Sequence, residues 1–121
     1  MPVDLSQPYD DQNVFAKILR GEIPSTKVYE DECAYAFPDI RPEAPVHILV
    51  IPKGEYVGWD DFTATASEAE IAGFVRAVGE VARQQGVAKS GYQLLVRVGA
   101  GGGQEVPHLH VHILAQSLPA K

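Results

Sequence analysis

Between Val106 and Leu114 polar and apolar positions alternate, with His108, His110 and His112 at every second place and Leu109, Val111 and Ile113 between them. A period of two marks a strand with unlike faces, so the pattern predicts three imidazoles on one face and a core on the other. The run Val46–Pro52 is apolar but for His47 and predicts a central strand covered on both sides. Residues 26–30 and 33–37 alternate over shorter spans around Asp31-Glu32, which predicts a hairpin, with Asp39 at its end. Residues 92–98 predict one more strand, paired with the histidine strand around a glycine-rich connection.

Two segments carry helical spacing instead. Asn13 is placed to cap a short helix whose apolar positions are Val14, Phe15, Ile18 and Leu19, with Gly21 and Pro24 ending it. Ser67 and Glu70 form a capping box ahead of a longer helix. Its expected apolar stripe is Ile71, Phe74, Val75, Val78, Val81 and Ala82, with Gly86 as terminator. Residues 53–65, which hold the only tryptophan, Trp59, read as a loop. Residues 1–12 are polar, hold two prolines and show no period, so they read as a loosely held arm ahead of one domain, 13–121. Strands before and after one long helix, joined by short connections, predict an α+β domain with an antiparallel sheet.

Composition narrows the functions this domain can serve. Ten Lys and Arg against 16 Asp and Glu give a net charge of −6, and no basic run exists. That balance argues against a nucleic-acid partner held through its phosphates. Cys33 is alone and cannot form an internal disulfide, and no apolar stretch has the length of a membrane span or signal core. A soluble, cytoplasmic protein without a membrane partner is the expectation.

Histidines at alternate strand positions can reach one zinc ion, but such sites add Cys, Asp or further His ligands. Here Cys33 has no near partner and His47 is the only other histidine, so neither a metal nor another cofactor is expected. Three imidazoles merely filling a strand face would need several buried partners. The remaining chemistry is nucleophilic attack by one neutral imidazole with proton donation from its neighbour. Repulsion between adjacent cations lets one neutral and one charged member coexist at pH 7. The stretch 99–105 is glycine-rich but lacks the Gly-Lys-Ser/Thr ending of a P-loop, and Gln104 breaks the dinucleotide fingerprint.

The row His108-Leu109-His110-Val111-His112-Ile113-Leu114 resembles the signature of the histidine triad superfamily. Residues 15–24, 36–40, 44–53 and 102–104 are similar to its Hint branch of homodimeric nucleoside phosphoramidases. The resemblance implies a purine nucleotide substrate and a homodimer with joined sheets. It implies that His110 attacks the α-phosphorus of a nucleoside 5'-phosphoramidate or adenylate, giving a nucleotidyl-histidine that water releases as the monophosphate. His112 would contact the phosphate and assist the leaving amine, and His108 and His47 would orient the row. Asp39 matches the ribose-binding acid, Phe15, Ile18, Phe37 and Ile40 the purine pocket, and Gly103 and Gln104 the loop along the nucleotide.

Several positions depart from that branch. Arg97 stands where Asn is usual, Glu105 where Ser or Thr is usual, and Pro38 where His commonly precedes the ribose-binding acid. All three remain assigned to the nucleotide site. The hairpin is expected to bring Arg97 opposite Glu105 as a compensating ion pair. Asn13 and Ala16 replace the cysteines of zinc-carrying relatives, and the tail 115–121 lacks a tryptophan-bearing end, which would leave the site more open to bulky amines. Within the superfamily, the dinucleoside polyphosphate hydrolases share the histidine row, and a nucleotide-binding protein of weak turnover is the alternative outside catalysis.

Overall fold

In the computed structural model, which describes residues 2–116, Val46–Pro52 forms a strand, β3, buried at every residue. It is the middle of a five-stranded antiparallel sheet with the order β1-β2-β3-β5-β4. The others are β1 (Tyr29–Glu30), β2 (Ala34–Pro38), β4 (Gln93–Leu95) and β5 (Val111–Ala115). The Asp31 carboxylate accepts the N–H groups of Cys33 and Ala34 at 2.7 and 2.9 Å, closing the predicted β1–β2 hairpin.

Period two divides the sheet as the sequence implies. On one face Ala34, Ala36, Ile48, Val50, Val111 and Ile113 pack against helix α3 (Glu68–Gln84). The opposite face holds Phe37, Leu49 and Ile51 against helix α1 (Val14–Leu19). The register aligns Phe37, Leu49, His112 and Leu95 across four strands, and sets His47 opposite Leu114. His47 and His112 therefore share the α1 face as diagonal neighbours.

Both predicted caps form. Asn13 accepts from Ala16 N–H at 2.9 Å, and Ser67 and Glu70 exchange hydrogen bonds at 3.1 and 3.2 Å. The α3 stripe needs one correction, because Val75 is 56% exposed and Ala77 takes the buried place. Residues 53–65 are also not all loop, since Trp59–Thr65 forms a helix, α2. Asp61 accepts the N–H groups of Val57 and Gly58, both at 2.8 Å, and so caps that helix's start.

The two strands at the site are shorter than expected. β5 begins at Val111, opposite Val50, near the point where β3 reaches Pro52 and its missing N–H. Upstream, His108 N–H turns back to Val106 O at 2.8 Å and Leu109 N–H bonds Tyr56 O at 2.9 Å. β4 stops at Leu95 because its partner β5 is then near its own beginning. Residues 2–12 contain neither helix nor strand, yet Val3 is buried and its N–H bonds Gln104 O at 3.2 Å. The tail beyond residue 116, and with it the openness expected from a short tail, lies outside the described residues.

Candidate active site

The glycine-rich connection is held by one buried side chain. Gln104, 2% exposed, accepts Gly99 N–H through Oε1 at 2.9 Å and donates through Nε2 to Val57 O and Val106 O at 2.7 and 3.0 Å. Gly99 and Gly103 adopt φ of +68° and +80°, a region open to glycine. This fixed loop aims the segment 105–110 into a cavity of about 890 Å³, large enough for a nucleotide-sized ligand.

The cavity collects most of the predicted site. Phe15, Ile18, Phe37, Pro38, Asp39, Ile40, Arg97, Gly103, Glu105, His110 and His112 all line it. Ile40 is 92% exposed, so it stands at the rim. His47, His108 and Gln104 lie behind the wall as supports. Sequence reasoning missed Arg41, Glu43 and Val106, which also line it.

Backbone groups assign the protons, because an amide N–H only donates and a carbonyl only accepts. His110 Nδ1 lies 2.8 Å from His108 O, so Nδ1 carries hydrogen and Nε2 a lone pair. Among the described residues Nε2 has no partner, and no fully buried side-chain nitrogen or oxygen is left unpaired, so Nε2 is open to the cavity. The ring is held edge-on to Phe15, centroids 5.0 Å apart. His112 is set oppositely. Glu43 N–H donates to His47 Nδ1 at 3.0 Å, so His47 Nε2–H faces His112 Nδ1 at 2.8 Å, and the His112 proton sits on Nε2. One ring offers an electron pair and its neighbour a proton.

His108 is fully enclosed, with Nε2 2.9 Å from Pro52 O and Nδ1 2.6 Å from the Tyr9 hydroxyl. Burial pushes the pKa of His108 and of His112 down to about 4, and neighbouring His110, His47 and Arg97 charges add to the effect at His112. Burial also lowers His110. The expected coexistence of a neutral and a charged imidazole is therefore corrected: burial favours the neutral form of all three at pH 7, and it is their tautomers that differ.

The Arg97–Glu105 pair is corrected too. The Arg97 guanidinium lies 3.7 Å from Glu43 Oε1 and 3.5 Å from His112 Nε2, while Glu105 makes no ion pair among the described residues. Arg97 and the protonated Nε2 are both donors, so the guanidinium acts there as a positive charge at the cavity wall. Asp39 Oδ2 is 3.4 Å from His47 Nε2, and its Oδ1 accepts Arg41 N–H at 2.9 Å.

Asp39, His47 and His112 are the one group among the described residues close enough to share a cation, their donor atoms lying within 4.8 Å. His47 and His112 are, however, hydrogen-bonded to each other, and Glu43 N–H occupies the second His47 nitrogen. The hydrogen bonds order the protons of these two rings.

These depressed values make stability pH-dependent. The unfolded chain binds more protons than the folded one between the ordinary imidazole value of 6.5 and the folded value near 4. Stability is complete above that window and falls with pH through it, by roughly 3 kcal/mol for His108 alone. Urea midpoints should drop between pH 6.5 and 5, above most carboxylate titration, and His108→Gln should flatten the slope. A flat wild-type profile there would contradict the depressed values.

A family profile described as the HIT domain matches residues 20–117. The chain is 62% identical over 111 residues to a 13.2 kDa HIT-like protein of Azospirillum brasilense, covering 92% of this chain and 91% of the relative. It is 40% identical over 104 residues to the purine nucleoside phosphoramidase of Escherichia coli K12, with 86% and 87% covered. Among solved structures, a HIT family hydrolase from Clostridium thermocellum superposes with a TM-score of 0.80 at 40% identity, covering 88% of this chain and 92% of the other.

Proposed function

The chain belongs to the HIT domain family, whose hydrolases it resembles in sequence and fold, and we propose that it hydrolyses purine nucleoside 5'-phosphoramidates or acyl and aminoacyl adenylates. The observation that carries this reading is the unpartnered, cavity-facing Nε2 of His110 beside the protonated Nε2 of His112. His110 Nε2 attacks the α-phosphorus, the bond from phosphorus to the amine nitrogen or the carboxylate oxygen breaks, and a nucleotidyl-imidazolium forms whose Nδ1–H stays on His108 O. Water then attacks phosphorus, releases the nucleoside monophosphate and restores His110.

His112 hydrogen-bonds the phosphate and supplies the proton that the leaving nitrogen takes. Its transfer needs the imidazolium form, reached when Nδ1 takes a proton from water and the His47 Nε2–H turns to Asp39 Oδ2, 3.4 Å away. An arriving phosphate and the Asp39 carboxylate both favour that form as nearby negative charges. His47 and His108 orient the row. Asp39 binds the ribose, Phe15, Ile18, Phe37 and Ile40 enclose the base, and Pro38, Arg97, Gly103, Gln104 and Glu105 line the path of the nucleotide. Two copies joined along the edge strand β4, where Leu94 is 56% exposed, would form the homodimer. Among the described residues no helix is long and apolar enough to cross a membrane.

Adenosine 5'-phosphoramidate and diadenosine polyphosphate, assayed in parallel with a chelator, test the substrate class. The expected result is faster, chelator-insensitive turnover of the phosphoramidate. Preference for the polyphosphate would move the chain to the P–O–P hydrolases, and AMP binding without turnover would make it a nucleotide-binding protein.

A further inference from the structure

We propose that Tyr9 is a positioning residue whose hydroxyl fixes the tautomer of His108 and, through the 108–109 peptide, the orientation of His110. The contact joins residues 99 positions apart, with Tyr9 Oη 2.6 Å from His108 Nδ1. Pro52 O, 2.9 Å from His108 Nε2, can only accept. A neutral His108 therefore keeps its proton on Nε2 and a lone pair on Nδ1, and Tyr9 is the donor. Burial raises the phenol's pKa, which keeps that donor protonated.

His108 is buried completely, so without Tyr9 its Nδ1 becomes an enclosed acceptor with no partner. The ring would then turn over or exchange tautomers. The same residue's carbonyl takes the His110 Nδ1–H, while the N–H of the following residue, Leu109, is tied to Tyr56 O at 2.9 Å. A disturbed His108 thus reaches the one bond that determines which His110 nitrogen faces the cavity.

The chain on both sides of Tyr9 is built to hold it. Ahead of it, Leu5 lies so close to Gly58 and Gly99 that an added Cβ would come within 3.2 and 3.1 Å of its side chain. Behind it, Arg20 Nη1 and Asn13 Nδ2 donate to the carbonyls of Asp11 and Asp10, both at 2.8 Å. The arm is therefore a clamp against the back of the histidine row.

The kinetic part of this proposal rests on the phosphoramidase reading; the tautomer does not. The full chain labelled with ¹⁵N-histidine, wild type and Tyr9→Phe, decides it by two-bond ¹H–¹⁵N correlation, with His108 assigned through His108→Gln. Wild type should show His108 protonated at Nε2 only. The Tyr9→Phe substitution preserves the edge-on ring contact, 5.6 Å between centroids in the wild type, and removes only the donor. The His108 nitrogens should then shift or average, and kcat should fall about tenfold with KM held within about twofold. Unchanged His108 signals would overturn the proposal, as would changed signals with unchanged kcat. Absence of any His110-dependent turnover in the wild type would sink the phosphoramidase reading instead, leaving the nitrogen signals to decide on Tyr9.

Discussion

His110→Ala should reduce phosphoramidate hydrolysis by roughly 10³-fold or more while the chain stays folded, because it removes the one imidazole nitrogen among the described residues that is open to the cavity with a free electron pair. No neighbour can substitute. His108 has both ring nitrogens occupied and lies behind the wall, and His112 turns a protonated nitrogen toward the site. Truncation also removes a ring that packs on Phe15, so His110→Asn serves as a second variant with less lost volume. Rapid quenching followed by intact mass measurement should find a nucleotidyl adduct on the wild type and none on either variant. Retention of more than about a tenth of wild-type activity by both would reject His110 as nucleophile.

The period of two in the histidine strand and in β3 carried most of the fold into view, since it decides which side of the sheet each residue faces. Leu109, Val111 and Ile113 do join the core under α3, and both helix caps act as their residue types imply. The failures share a physical origin. Helix α2 has Gly58 as its N-cap residue and draws its cap from the Asp61 carboxylate reaching backward, a pattern that a segment with one tryptophan and little apolar period does not display.

At the cavity, residue types singled out the histidines but could not place their protons. Those are set by Glu43 N–H, Pro52 O and His108 O, backbone groups that every sequence possesses and whose positions only the fold supplies. Tyr9 is invisible for the same reason, a polar residue in an aperiodic arm that finds its partner 99 positions away. Hairpin proximity predicts that Arg97 meets Glu105, yet in the folded chain it lies beside Glu43, which the loop before β3 brings to the same wall.

His112 should show a different kind of dependence, because the role proposed for it is defined by the leaving group. His112→Asn retains a side-chain amide that can hydrogen-bond phosphate but cannot pass on a proton at neutral pH. For a phosphoramidate of an alkyl amine, whose nitrogen must be protonated to depart, kcat/KM should fall by roughly 10²–10⁴-fold. For a p-nitrophenyl ester of the same nucleotide, whose leaving oxygen is stable as an anion, the loss should be about tenfold or less, the share due to weaker phosphate contact. The ratio of the two losses isolates proton transfer from binding, and a fold defect would cancel in it. His47→Gln should move the ratio the same way by a smaller amount, since it breaks the Glu43-ordered bond that keeps the His112 proton on Nε2. Equal losses on both substrates would mean that His112 acts on the phosphate alone, and the proton would then have to reach the amine from water admitted to the cavity.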